Sequence, residues 1–486
     1  MSTTPPALTP AAAAGLVFAA SGAVLVLEIL GIRLLAPYVG LTLETTTAII
    51  GTVLAGIAAG AALGGRAADA LDGRRLLPVL LAGGGVLALA TVPLVRALGA
   101  ALQGGGDPAA LAITLFALFP SATVLSAVTP VVAKLQLRDL DATGSVVGRL
   151  SAWATAGALV GTFATGFVLV PLLPTDVAVL AVGGALVALG VLTALRGRDR
   201  RAASVTVKLA AGALVLGGGT LATGTPCDTE TTYHCARVVA DAERASGRTL
   251  VLEDLRHSYV DLADPRHLEF DYVRWIGDAI DAMAPSREPL DAVFVGGGGF
   301  TLPRYLAATR PGSRSRVLEV DEPLVDLVRE RLGLRTGPAL QVRIGDARIT
   351  LGREPAGSAG LVVGDAFGAR SVPWHLATVE FAREIRRVLR PGGVYALNVI
   401  DQGPLALLRA QAATLATVFA DVALVDQPGP DGGNLVLLAS DAPLAPGVAS
   451  TARGARPLDR AAVLRLAAGA DPLTDDDAPA DQLLSR

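Results

Sequence analysis

The chain has 486 residues, 52% of them hydrophobic and only 17% charged, a balance too apolar for an ordinary soluble protein. A formal net charge of −3 gives no bulk case for a nucleic-acid partner. The length allows two or more domains, and the average hides two halves. Residues 11–222 are mostly Ala, Leu, Val and Gly with charges confined to short gaps, whereas 233–486 have globular composition.

The first half holds seven apolar stretches, near 14–36, 46–64, 76–98, 109–133, 150–170, 176–195 and 205–223. Each approaches the roughly 20 residues a helix needs to cross the hydrocarbon core. The fourth contains Pro120 and Pro130, tolerable inside a bundle. The seventh is the weakest, Gly-rich with Lys208 near its start. Small residues (GIAAGAALGG, GALVGTFATG) suit close helix packing. Basic residues mark alternate gaps: Arg66, Arg74 and Arg75, then Lys134, Arg138 and Arg149, then Arg196, Arg198, Arg200, Arg201 and Lys208. The positive-inside rule puts these gaps inside, and from them the N-terminus and the C-terminal half are both expected outside. The N-terminus has no basic region, and its first apolar stretch is long enough to remain as a span, so no cleaved leader is expected. The expected location is the cell membrane, multi-pass, with the lipid bilayer as partner and an extracytoplasmic C-terminal domain.

Three local features accompany the spans. Glu28 lies within the first stretch with Arg33 five residues on; such a group is a functional candidate or half of a structural ion pair. Asp69 lies in a short basic loop with Arg66 and Arg74, either functional or simple topology control. Cys227 and Cys235, the only cysteines, follow the seventh stretch. In an extracytoplasmic loop they read as a disulfide, with two free thiols as the alternative. A zinc site with His234 would lack ligands.

In the second half, RVVAD and TLVLEDL read as short strands around an SGR turn, and HLEFDYVRWIGDAIDAM has helical spacing. Strand DAVFVGG, helix TLPRYLAAT, strand RVLEVD, helix EPLVDLVRERLG, strands LQVRIGDA and GLVVGDAF, helix LATVEFAREIRRVL, turn RPGG and strand VYALNVI follow. Strands alternating with helices predict a doubly wound, mostly parallel sheet, which binds ligands at its carboxyl strand ends. Gly296, Gly297, Gly298, Gly299, Glu319, Asp346 and Asp365 all fall at such ends, with Asp321 just beyond one. Glycines let a backbone approach a ligand, and acids about twenty residues on can reach ribose hydroxyls, which predicts a nucleoside-type pocket. No HExxH or GxSxG pattern is present, and no metal site is expected.

The order GGGG, LEVD, GDA, GDAF…P.HL…EF and LRPGGVYALN resembles the spermidine synthase (polyamine aminopropyltransferase) family. The whole chain is similar to the membrane-fused spermidine synthase-like proteins, including its LTDDDAPADQLL ending. The resemblance implies a Rossmann-like, class I methyltransferase-type domain behind a small β-domain. Expected boundaries are 1–225 for the membrane domain, 226–275 for a linker and β-domain, 276–440 for the Rossmann-like domain and 441–486 for an extension. It also implies decarboxylated S-adenosylmethionine, or a related nucleoside, as co-substrate, a diamine acceptor and a possible homodimer. Glu319 matches the acid that holds the donor ribose. Asp346 with Ala347 matches the segment beside the adenine. Asp365 matches the first acid of a DSSDP loop, and Glu269 and Tyr272 match a DE-x-x-Y segment.

Four departures accompany these matches. The family's GGGDG acid is Gly299 here, and the proton acceptor of DSSDP is Gly368. An acceptor-site glutamate is Arg274, and a β-domain glutamine is His257. Aminopropyl transfer needs a neutral amine, hence a carboxylate to deprotonate it, and a polyamine needs several. An arginine in the cleft opposes a diamine. His375 in VPWHL is a candidate substitute base or a packed histidine, as is His257 with Tyr259 and Asp261. Two readings follow: a membrane-bound transferase using an S-adenosyl-type nucleoside, with Asp365 orienting the acceptor, or a catalytically inactive ligand-binding, partner-binding or transport-coupled protein. An outward-facing domain would meet S-adenosyl compounds only after export.

Overall fold

A computed structural model describes residues 8–40, 43–103, 106–137, 140–197, 199–283, 288–368, 372–426, 433–445, 447–449 and 455–484. The chain forms two compact units, Met1–Cys235 and Ala236–Arg486.

Among the described residues of the first unit, six helices are long and apolar enough to cross a membrane: Pro10–Val39, Glu44–Ala70, Gly73–Ala101, Thr143–Leu172, Thr175–Gly197 and Arg200–Ala222. A pair bent by 40°, Pro108–Ala117 and Phe119–Gln136, makes a seventh if counted as one span. Its break at Leu118 falls just before Pro120, whose ring cannot continue the hydrogen-bond ladder. The small residues sit where backbones meet. A Cβ on Gly157 would lie 2.2 Å from the Phe18 carbonyl, and one on Gly60 2.2 Å from that of Thr123. Such close backbone contacts are the kind that pack helices where lipid removes the hydrophobic driving force.

The two ends of this unit differ. One carries the Lys134–Asp69 and Arg75–Asp199 ion pairs, both 2.7 Å. Asp69 therefore pairs with Lys134, and Arg138 and Arg198 lie outside the described residues. Gln136 Nε2 donates to the Leu8 carbonyl at 2.9 Å, which puts the N-terminal end on this basic side. The N-terminal end and the basic gaps therefore lie at the same end of this unit. The other end carries Arg96–Asp176 at 3.2 Å and Arg33–Glu230 at 3.1 Å. Arg33 also donates to the Thr231 and Thr232 carbonyls, so its carboxylate partner is Glu230. Cys227 and Cys235 are joined as a disulfide in the same segment.

The second unit begins with an antiparallel meander, β1 (Cys235–Ala240), β2 (Gly247–Leu252) and β3 (Leu255–Asp261). Helix α1 (Asp271–Ala282) leads into an eight-stranded sheet. Its strands are β4 (Asp291–Val295), β5 (Arg314–Glu319), β6 (Leu340–Ile344), β7 (Ala359–Gly364), β8 (Leu389–Asp401), β9 (Asp421–Asp426), β10 (Gly433–Ser440) and β11 (Arg456–Leu458). The spatial order is β11-β9-β10-β8-β7-β4-β5-β6. β4 to β8 run parallel, and β9 to β11 add antiparallel pairs. Apolar residues alternate between two helical layers: Phe294 packs with Ile276 and Leu306, while Val293 packs with Phe381 and Leu408. This is the class I methyltransferase-like fold, and its strand order reverses between β4 and β7, which opens a crevice at their carboxyl ends.

One element differs from expectation. RPGG is not a turn before a strand but lies within β8. The ladder passes from Ala359↔Leu389 to Leu361↔Val394, so the extra residues bulge out around Gly392, whose φ is +73°.

Candidate functional site

The cleft is lined by residues of β3, the segment before α1, α1 itself, the glycine loop after β4 and the turn after β7. Ser258, Glu269, Tyr272, Gly297, Thr301 and Asp365 supply its polar wall, and Phe270, Phe294 and Leu302 its apolar wall.

The glycine loop is a set of close approaches. Gly296 has φ +93°, and a Cβ there would lie 2.3 Å from the Asp365 carbonyl oxygen. A Cβ on Gly298, at φ +47°, would meet Ser258 Oγ at 2.7 Å. Gly297 N–H donates to Glu319 Oε2 at 2.7 Å, and Gly299 N–H donates to Ser258 Oγ at 3.0 Å. The loop thus bonds on one side to the next parallel strand and on the other to the β-meander. Helix α2 (Thr301–Thr309) starts directly after it, with Thr301 Oγ1 donating to the Tyr259 carbonyl.

Glu319 closes β5 and is only 8% exposed. Its other oxygen accepts from Asp321 N–H at 3.0 Å. Burial raises its carboxyl above the ordinary range, and the main-chain donors pull it back. Each oxygen keeps a lone pair that could take a hydroxyl. Asp321 does not share this role: it is 1% exposed and accepts from Leu324 N–H, capping helix α3 (Glu322–Arg331).

Asp346 caps the short helix α4 (Ala347–Leu351) through Arg348 N–H at 2.7 Å, and Ala347 is buried behind it. Its second oxygen meets His375 Nε2 at 3.1 Å. The ring of His375 is therefore tied to the Asp346 side of the sheet. Arg348 reaches the His375 carbonyl, Thr378 and Asp475, the last at 2.5 Å, and so binds the C-terminal segment to this edge.

Asp365 follows β7. Asn398 Nδ2 donates to one oxygen at 2.8 Å and Tyr272 Oη to the other at 3.2 Å. Burial pushes its carboxyl up to about 6 despite both bonds. Tyr272 is held well above its usual value by burial and by Asp365. Gly368 is exposed and carries no acid.

Glu269 also lines the cleft. His267 Nε2 lies 3.1 Å from its Oε2, and Arg274 Nη2 3.7 Å from the same oxygen. Arg274 also meets Asp271 at 3.0 Å and does not line the cleft. This corrects the expectation of an arginine inside the cleft: its charge acts through Glu269. His257 Nδ1 and Ser258 Oγ are 2.9 Å apart, and burial lowers its imidazole to about 4, so it stays neutral. Tyr259 and Asp261 do not converge with it. The tyrosine bonds Asp241, and the aspartate bonds Arg244. Among the described residues no group of three or more His, Cys, Asp or Glu could hold a metal.

Two site residues were not legible in the sequence, Ser258 and Asn398. Asn398 is 2% exposed. An amide in the middle of an apolar strand was the available signal, because buried polar groups require partners.

No family model matches the chain. It is 29% identical over 184 residues to a polyamine aminopropyltransferase of Vibrio vulnificus (strain CMCP6), covering 37% of this chain and 58% of that protein. The chain therefore spans little more than half the length of that curated relative. Among solved structures it is similar to a probable spermidine synthase from Corynebacterium glutamicum ATCC 13032, at 28% identity and a TM-score of 0.48, covering 52% of this chain and 97% of that one. It is also similar to the spermidine synthase from Thermotoga maritima, at 15% identity and a TM-score of 0.36, covering 45% and 75%.

Proposed function

Taking the α/β unit as spermidine synthase-like, of the polyamine aminopropyltransferase family, we infer that it binds an adenosyl-type nucleoside and presents an acceptor to it. The observation that carries this reading is Glu319. It is a buried acid at a strand end, fixed by the glycine-loop and Asp321 amides, with lone pairs left for two ribose hydroxyls. Asp346 holds the base, and Asp365 orients the acceptor. In an aminopropyl transfer the acceptor nitrogen attacks the carbon beside the sulfonium, the C–S bond breaks with its pair on sulfur, and the released proton passes to Asp365. A carboxylate held near 6 suits that task at neutral pH. The donor would be decarboxylated S-adenosylmethionine or a related nucleoside.

Calorimetric titration of the full chain in lipid nanodiscs with 5′-methylthioadenosine tests the pocket. Binding by the wild type that is lost in Glu319→Ala supports it, and no binding by the wild type overturns it.

A second reading, a ligand-binding protein without transfer activity, is favoured by Gly299. No acid stands there for the donor amine, and its Cβ position lies 2.8 Å from Ser258 Cβ. In either case the apolar helices hold the chain in a bilayer with the basic end inside and the Cys227–Cys235 end outside. A reporter fused to the C-terminus should be active outside; a cytoplasmic signal would reverse this orientation and restore ready access to S-adenosyl compounds.

A further inference from the structure

We propose that the acceptor site takes an amine with one cationic nitrogen, not a diamine, and that Arg274 sets this limit by neutralising Glu269. The proposal rests on the nucleoside-and-acceptor reading of the cleft and narrows its substrate class.

Among the described residues lining the cleft, two carry charge, Glu269 and Asp365. A diamine would need both, because each ammonium moved out of water demands an unspent carboxylate. The two acids are not equivalent. Asp365 receives only neutral donors, the Asn398 amide and the Tyr272 hydroxyl. Its full negative charge remains available to a cation.

Glu269 faces a guanidinium at 3.7 Å and an imidazole nitrogen at 3.1 Å, both on one oxygen. The Arg274 side chain is 16% exposed and that of Glu269 38%, so solvent screens this pair in part. A further cation stands on the same wall: the Arg256 guanidinium lies 5.4 Å from the centroid of the Phe270 ring, itself a lining residue. A second ammonium would find Glu269 already paired with a guanidinium and an imidazole, and the Phe270 face already taken by the Arg256 guanidinium. The acceptor that fits has its amine at Asp365 and an uncharged tail along Phe294, Leu302 and Val363.

The test compares 1-aminobutane with 1,4-diaminobutane by calorimetry on the full chain in nanodiscs, each with and without saturating 5′-methylthioadenosine. The wild type should bind the two amines within about threefold of each other, since the second nitrogen finds no unspent partner. R274Q should favour the diamine by about tenfold or more, as Glu269 loses its guanidinium partner and can pair with an ammonium. R274K should keep the wild-type ratio, and E269Q/R274Q should return to it. Unchanged methylthioadenosine affinity in R274Q shows that the fold is intact.

A wild-type preference for the diamine of about tenfold overturns the proposal. So does an R274Q ratio equal to the wild type's, or failure of both amines to bind. Absence of methylthioadenosine binding overturns the nucleoside reading instead. The amine ratio measured without nucleoside still decides the role of Arg274.

Discussion

The two sides of the cleft hold their acids by different means. On the side proposed for the nucleoside, Glu319 is fixed by main-chain N–H groups of Gly297 and Asp321. On the acceptor side, Asp365 and Glu269 are fixed by side chains: Asn398, Tyr272, His267 and Arg274. Main-chain donors come with the fold and survive substitution, whereas side-chain donors change one at a time. A cleft built this way can keep its nucleoside end while its acceptor end drifts. The family-like acid Glu319 stands on the first side; of the departures, Gly368 and Arg274 stand with the second, whereas Gly299 lies in the glycine loop itself.

The comparison can be broken most sharply at its fixed end. Glu319→Ala removes the acceptor of two charge-assisted bonds worth roughly 1.5–3 kcal/mol each, so calorimetry should show a loss of a hundredfold or more in adenosyl-ligand affinity. A smaller effect would mean that the carboxylate serves only to brace the loop. Next, Asp365→Asn should weaken amine binding about tenfold while leaving methylthioadenosine affinity in place, because a carboxamide carries no charge to pair with an ammonium. Loss of both ligands together would show that the two sides are not separable.

The pH dependence sharpens the same contrast. Asp365 holds a cation only when ionised, and its carboxyl is raised to about 6. Amine affinity should therefore be full above that value and fall as pH drops through it, approaching about tenfold per pH unit below. Both hydrogen bonds lower this carboxyl, so Tyr272→Phe or Asn398→Leu should move the midpoint upward. A midpoint near the ordinary carboxylate range would remove Asp365 from the acceptor role. The smallest effect is expected at the C-terminal segment, where Asp475 ties Arg348 and Thr378 together. Asp475→Asn should weaken nucleoside binding by only about threefold, as partly exposed ion pairs contribute little.

Much of this was legible in the sequence, and the exceptions share a cause. Strands β4 and β5 and helix α2 show local periodicity and turn residues, so the sheet core and its glycine loop could be placed from neighbours in sequence. RPGG reads as a turn by composition, yet the Ala359–Leu389 pairing absorbs it as a bulge in β8. The partners of Ser258 and Asn398 lie 41 and 33 residues away. Their meaning exists only once β3 meets the glycine loop and β8 meets β7. Arg274 is intermediate: its presence near the acceptor site was readable, but its action through Glu269 depends on how the segment before α1 turns. In the first unit, composition located the long apolar helices, while the pairing of Arg33 with Glu230 was hidden by their separation of 197 positions in sequence.

The seat of Gly299 bears on how this chain could change. An acid introduced there meets Ser258 Cβ at 2.8 Å and Val260 Cγ2 at 3.1 Å, both on β3. Gly299→Asp alone would therefore press on the meander, and Ser258 would have to shrink in the same step. Each substitution is harmful or idle without the other, since Ser258 also accepts the Gly299 N–H. The close approach of the glycine loop to β3 thus couples the side chain allowed at position 299 to those at 258 and 260, and the three can change only together.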